Sequence, residues 1–334
     1  MRERALDFIV CPKCRGPVAL DAGARQGDHI MDGQLTCRGC QATYPVDGGV
    51  PVLVEERRVD PDNRRTAERF GFEWETFDTL TPTYEAQFLD WISPIRRDFF
   101  AGKTILDAGC GKGRHSVLSA RFGARDVIGI DLATGSVRAA FRNTQSLTNV
   151  HILQADIYNL PFREGTFDYA YSIGVLHHTP DPHRSFQCLV RTLAVGGTIS
   201  VWVYGREGNE WLISCVNPVR TAVTARLPLG VTKAIAFGLT AVLHPLLQIV
   251  YRPANRLPPL RPIARRLFYN DYLFYISSFS FRENYSIVFD HLLPEIAHYI
   301  PEAEVRAWFE QAGLQEIVVT RRTNNSWRGT GRKA

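Results

Sequence analysis

No long apolar run opens this chain. Its first residues, MRERALDFIV, carry charges and meet no cleavage-type site before Cys11, so a secretory leader is not expected and the cytoplasm is the expected compartment. No internal repeat and no low-complexity tract is present. Acidic residues are missing altogether from residues 211–270, a stretch that holds eight lysines and arginines. Excess charge of one sign is otherwise slight, with 39 Lys and Arg against 34 Asp and Glu and a formal net charge of +5. So weak a balance says little about partners, and its distribution says more. What is there, 334 residues that are 45% hydrophobic and 22% charged, suffices for a full core and a satellite module.

Seven cysteines are present, and four fall in two close pairs, CPKC at 11–14 and CRGC at 37–40, with twenty-two residues between. In a reducing compartment this pattern suits a metal rather than a disulfide framework. Each C-x-x-C turn offers two thiolates, so Cys11, Cys14, Cys37 and Cys40 supply the four soft ligands of a tetrahedral zinc. Four thiolates close the coordination sphere, which makes the zinc structural, and with it bound the net charge falls to about +3. Cys110, Cys188 and Cys215 read as free thiols.

Residues 1–56 read as a zinc ribbon closed by a hairpin at Asp47-Gly48-Gly49. Residues 57–100 start as a charged linker, within EERRVDPDNRR, and then turn aromatic and helical, with RFGFEW at 69–74 readable as a lid or as core. From 101 to 204 strands and helices alternate: KTILDAG, RHSVLSARFGA, DVIGIDL, TGSVRAAFRNTQS, VHILQAD, FDYAYSIG, a helix HRSFQCLVRTLAVGG and a strand TISVWVYG. That rhythm is the signature of an α/β fold, a doubly wound parallel sheet covered on both faces. A long helical insertion at 205–300 follows the fifth strand, and residues 301–334 complete the core with a helix and strands.

The glycine loop ILDAGCGKGRHS at 105–116 is selective about its ligand. A dinucleotide loop needs G-x-G-x-x-G, and the third position, 114, is Arg114. No G-K-[ST] follows, so a triphosphate loop fails as well. Gly109, Gly111 and Gly113 let backbone approach a ligand closely, while Asp107 just ahead disfavours phosphate and suits a cation. Asp131, ending GIDL, can accept ribose hydroxyls, and Asp156, in QADI, can accept from an adenine amino group. Ribose, adenine, an ammonium and no phosphate together describe S-adenosylmethionine.

On LDAGCGKG, GIDL, QADIYNLPF and FDYAYSIGVLHH, in that order, the sequence resembles the class I S-adenosylmethionine-dependent methyltransferases over roughly residues 101–334. LVRTLAVGGTISVWV resembles that family's fifth-strand region. The resemblance implies a Rossmann-like sheet in which Asp107, Gly109, Cys110, Gly111 and Gly113 wrap the methionine end of the cofactor. It implies Asp131 and Leu132 at the ribose, Asp156 and Ile157 at the adenine, and Ser172 and Ile173 near the sulfonium. The N-terminal stretch resembles zinc-ribbon domains fused to, or partnering, some methyltransferases. Beyond Lys13, Arg15, Arg25 and Arg38 it has no basic cluster, so it reads as packed on the catalytic domain rather than as a nucleic-acid grip.

His177 and His178, just past the fourth strand in GVLHHTPDP, are the candidate general bases. ENYSIVFDHLLPEIAHYIP resembles a segment of methyltransferases from glycan and natural-product pathways, whose pattern Asp290 matches and His291 and Leu293 depart from; Asp290, His291 and His298 are the candidate substrate residues, and Pro294 keeps the two histidines off one helical face. Lys233, His244 and Pro245 make the apolar part of 211–270 a poor membrane span. It reads first as a cap over the active site, then as a peripheral contact with an anionic membrane, then as a binder of acidic substrate. The expected function is methylation at O, N or C of a small or medium-sized metabolite, apolar or anionic, in natural-product or glycan biosynthesis. An RNA methyltransferase gripping through ribbon and insertion is the alternative, although SIGV replaces the NPPY-like tetrad of base-amino methylation. A catalytically silent partner subunit is the second alternative.

Overall fold

A computed structural model describes all 334 residues and divides them into two compact units: Met1–Tyr204 with Ile296–Thr320 and Trp327–Ala334, and Gly205–Glu295 with Arg321–Ser326. The first is built on one sheet of eleven strands. In chain order these are β1 (Val18–Ala22), β2 (Gly33–Cys37), β3 (Thr43–Asp47), β4 (Val50–Leu53), β5 (Thr104–Ala108), β6 (Asp126–Asp131), β7 (Val150–Ala155), β8 (Phe167–Ile173), β9 (Leu193–Tyr204), β10 (Leu314–Arg322) and β11 (Ser326–Lys333). Across the sheet they run β1-β2-β3-β4-β7-β6-β5-β8-β9-β11-β10. From β4 to β9 the neighbours are parallel, and TILDA and VHILQA are buried along their whole length, as strands covered on both faces must be. The fold is the Rossmann-like sheet of the sequence reading.

The ribbon extends this sheet. A two-residue turn, with Gly48 and Gly49 both at positive φ, joins β3 to β4 in the register Val46↔Pro51 and Asp47↔Val50. The other edge of β4 pairs in parallel with β7, Val52↔Gln154 and Leu53↔Ala155. Polar ties reinforce the join: Arg15 donates to the carbonyls of Leu160 and Phe162, and Arg4 grips the buried Asp126 with two bonds of 2.5 and 2.6 Å.

The helices of this unit are α1 (Pro61–Thr76), α2 (Thr83–Trp91), α3 (Arg114–Arg121), α4 (Thr134–Thr144), α5 (Pro182–Thr192) and a last one at Glu302–Gln311. Two differ from expectation. Residues 61–65, read as linker, form the first turn of α1, because Asp60 accepts from the N–H groups of Asp62 and Asn63 at 2.9 and 3.0 Å and Pro61 fills the first helical position. LAVGG, read as helix, opens β9 instead. Two adjacent glycines weaken a helix, and α5 stops at Thr192.

The second unit is mainly helical. Its longest element, α6 (Leu229–Arg256), carries a widened turn at Leu247–Tyr251, just after Pro245 removes a donor N–H. By length and composition α6 could cross a membrane. A capping box at Ser280 and Glu283 starts α7 (Phe281–Leu292), which packs along α6. Leu247, Tyr251, Ile276 and Phe279 form the unit's own small core.

Candidate active site

Strands β7, β6, β5 and β8 end side by side, and the chain reverses its winding direction between β5 and β8. In open α/β sheets such a reversal leaves a crevice at the carboxyl ends of the strands. The predicted cofactor residues lie at or just beyond those ends: Asp107 on β5, Asp131 on β6, Asp156 and Ile157 after β7, Ser172 and Ile173 on β8. Ser172 donates to the Ala108 carbonyl at 2.9 Å, stitching β8 to β5 at the crevice.

The loop from Gly109 to Gly113 is held by its own backbone. Gly109 and Cys110 donate to the Ile130 carbonyl, both at 2.8 Å, and Gly111 donates to Asp131 Oδ2 at 3.0 Å. Gly109 has φ 83°, and a Cβ there would lie 2.2 Å from Val175 Cγ2. Gly111 has φ 53°, and its Cβ would meet the Trp74 indole at 3.0 Å. Neither position has room or conformation for a side chain.

Asp107 is 1% exposed and accepts from Ser116 Oγ at 2.7 Å. Burial pushes its carboxyl up to about 7; bonds from Ser116 and Tyr171 pull the other way, and neighbouring Asp131 adds to the rise. Burial also raises Asp131 and Asp156, against the backbone N–H groups of Ala133 and Tyr158, each donating at 3.0 Å. All three carboxylates take these bonds from hydroxyl or backbone donors, not from lysine or arginine. Buried acids left in that condition favour a cation and neutral donors over a phosphate.

The loop's own cations turn away from the crevice. Lys112 Nζ donates to the carbonyls of Phe77 and Thr79 at 2.5 and 3.1 Å and to the Tyr84 hydroxyl at 3.0 Å. Arg114 lies 5.1 to 5.5 Å over the rings of Trp74, Tyr84 and Trp91. Together they strap α1 and α2 across the glycine loop. Sequence reasoning singled out Trp74 within the aromatic stretch but not Lys112 or Arg114; the available signal was two cations in a loop whose ligand has no phosphate. A cleft of about 260 Å³ opens beside the strap, lined by Arg64, Glu68, Gly71, Glu75, Leu132 and Thr134 among others, and it includes the expected ribose residue Leu132. The donor set fits S-adenosylmethionine, with acids for its ammonium, ribose hydroxyls and adenine amino group.

The cysteine knuckles also fit their ion. The sulfurs of Cys11, Cys14, Cys37 and Cys40 lie within 4.8 Å of one another, with Cys14–Cys37 at 3.4 Å and Cys11–Cys40 at 3.7 Å. Tetrahedral zinc with bonds of about 2.3 Å sets its sulfurs about 3.8 Å apart. Backbone N–H groups of Gly39 and Cys40 point at Cys37 Sγ from 3.4 and 3.5 Å. Zinc held here is structural, with no position left open.

Residues 106–201 match the methyltransferase-domain family, and residues 2–49 match the Trm112p-like protein family. This is a methyltransferase domain with a zinc ribbon ahead of it. Over 171 residues, 48% of this chain and 68% of the relative, it is 29% identical to a ubiquinone biosynthesis O-methyltransferase of Idiomarina loihiensis. Over 150 residues, 39% of this chain and 45% of the relative, it is 37% identical to a tRNA U34 carboxymethyltransferase of Marinobacter nauticus. Over 140 residues, 40% of this chain and 33% of the relative, it is 31% identical to a tRNA (carboxymethyluridine(34)-5-O)-methyltransferase of Arabidopsis thaliana. The chain thus spans about a third of the plant relative and less than half of the Marinobacter one.

Beyond β8 the methyltransferase domain brings its two candidate bases together. His177 is fully buried, its ring 4.0 Å from that of Tyr204 and 4.2 Å from that of His178. His178 lies against Phe70 of α1 at 4.9 Å, and its Nδ1 is 2.8 Å from the Ile296 carbonyl. A carbonyl can only accept, so Nδ1 carries the proton and Nε2 is the basic nitrogen. The candidate substrate residues do not share a unit. His298 is exposed in the first, where its N–H donates to the His177 carbonyl at 2.8 Å. Asp290 and His291 belong to α7 of the second, where His291 Nε2 is 3.1 Å from the Tyr272 hydroxyl and burial pulls its imidazole down to about 4.

Proposed function

We propose that this chain transfers a methyl group from S-adenosylmethionine and that its acceptor is RNA. The observation that carries the transfer is the trio Asp107, Asp131 and Asp156 around a loop with no room for side chains. The cofactor, when bound, supplies an electrophilic methyl on a sulfonium. The protein's part is to hold that cofactor, align the acceptor and exclude water, with a base where the acceptor carries a proton. His178, its Nδ1 fixed on the Ile296 carbonyl, offers Nε2 for that proton, and His177 backs it.

The RNA reading is supported by the Trm112p-like match and by the likeness to two tRNA-modifying enzymes. It is better supported than the small metabolite expected from the sequence alone, which the likeness to a ubiquinone O-methyltransferase favours. Calorimetry with S-adenosylmethionine tests the first half: binding is expected, and Asp131→Ala is expected to weaken it at least about tenfold. No heat from the unmodified chain would leave only the silent subunit. Labelled methyl donor offered with total tRNA, or with a quinone-containing lipid extract, tests the second half. Label is expected in the tRNA, and label confined to the extract would reverse the assignment.

A further inference from the structure

We propose that the second unit docks on an anionic lipid surface, laying the outer face of α6 into the boundary between headgroups and acyl chains. Docking there does not depend on which acceptor is methylated. α6 is inside out for a helix facing water. Its buried positions, Thr232, Ala236, Thr240 and Leu247, recur at three- to four-residue helical spacing with His244 between them, and several are polar. Thr232 Oγ1 donates to the Thr224 carbonyl at 3.3 Å, Thr240 Oγ1 to the Ala236 carbonyl at 2.7 Å, and His244 Nδ1 is 2.9 Å from Asn284 Nδ2 on α7. The outer face carries Ile235, Leu239, Val242, Leu246 and Ile249, exposed by 37 to 74%. Only 22% of its most apolar window is buried. A helix on an aqueous surface places these two sets the other way round.

Charge names the medium. Arg226, Arg256, Arg261, Arg265 and Arg266 are all exposed, none is in an ion pair, and no acid lies anywhere in residues 211–270. Beyond the end of α6 the arginines alternate with exposed Leu257, Ile263 and Phe268. Apolar side chains that can enter the acyl region, beside cations that stop at its edge, complement anionic headgroups. The helix lies on the surface rather than crossing it, because α7 runs alongside with Arg282, Glu283 and Asp290, and the seam between them holds the polar pair His244 and Asn284. RNA fits less well: only Phe237 and Phe268 among the unit's exposed side chains are rings able to stack on bases. A second copy fits less well too, since two-fold pairing of this face would bring its arginines together.

The full chain, sedimented with vesicles of phosphatidylcholine alone or mixed with phosphatidylserine, provides the test. Pelleting is expected to be at least about tenfold stronger with the anionic vesicles and to weaken as salt rises. Val242→Asp with Ile249→Asp should abolish it, and each of Arg261→Glu and Arg265→Glu should weaken it about fivefold or more. All four side chains are exposed, so all three variants should keep the parent's affinity for S-adenosylmethionine, which separates failure of docking from failure of the fold or of methyl-donor binding. Equal or absent pelleting on the two lipids overturns the proposal. A lipid-free dimer dissociated by the apolar variant overturns it in favour of self-association. RNA binding lost in the arginine variants, without vesicle binding, overturns it in favour of nucleic acid.

Discussion

A carboxyl pushed up to about 7 is half protonated near neutral pH, and Asp107 holds that position beneath the glycine loop. Its ordinary value is 3.8, so at pH between the two values the folded chain without cofactor binds more protons here than the unfolded chain does. The stabilisation from this group is complete below the lower value and is lost as pH rises through the higher one. A bound ammonium or sulfonium reverses the preference by favouring the carboxylate. Affinity for S-adenosylmethionine is therefore expected to rise across about pH 6 to 8, with proton release visible as buffer-dependent heats. Asp107→Asn should raise the melting temperature of the cofactor-free chain at alkaline pH, weaken cofactor binding and flatten its pH slope. An unchanged slope would move the titration to another group. His178 makes a different prediction, because it is proposed as the base for the acceptor and not as a cofactor residue. His178→Ala should lower kcat by about 10²-fold or more while leaving S-adenosylmethionine affinity unchanged, and equal loss of both would give it a structural role instead.

At the scale of elements, what the sequence made legible follows from how local each signal is. β5 to β8 were readable because strands covered on both faces are mostly apolar, and Asp107, Asp131 and Asp156 stood out as acids at or just past their ends. The start of α1 was hidden by charge, although Asp60-Pro61 is itself a start signal. LAVGG misled because its apolar positions suit either period, and only the pairing of β9 with β8 decides. The strap of Lys112 and Arg114 depends on rings delivered from α1 and α2, twenty or more residues away, which no local pattern encodes. The polarity of α6 was hidden for the same reason. Its composition was plain, but which face is covered depends on α7, which begins at Phe281.

For the whole molecule the telling feature is that the ribbon and the methyltransferase domain share one sheet. β4 is a ribbon strand on one edge and a neighbour of β7 on the other, and β7 leads directly to Asp156. A ribbon merely tethered would melt by itself; one that supplies a sheet strand and anchors Arg15 on the carbonyls of Leu160 and Phe162 should melt with the cofactor crevice. Cofactor at a hundred times its Kd adds about 2.7 kcal/mol, roughly 5 to 10 °C for a unit of this size, so the transition that contains the crevice can be recognised by its shift. Cys37→Ser, which removes one of four zinc ligands, is expected to lower that same transition and to weaken cofactor binding across a sheet edge it does not touch. A separate early melting step, with the cofactor-sensitive transition left in place, would mean that the shared strand carries no energetic coupling. One joint transition would mean that the zinc stabilises the adenine side of the crevice through β4 and β7.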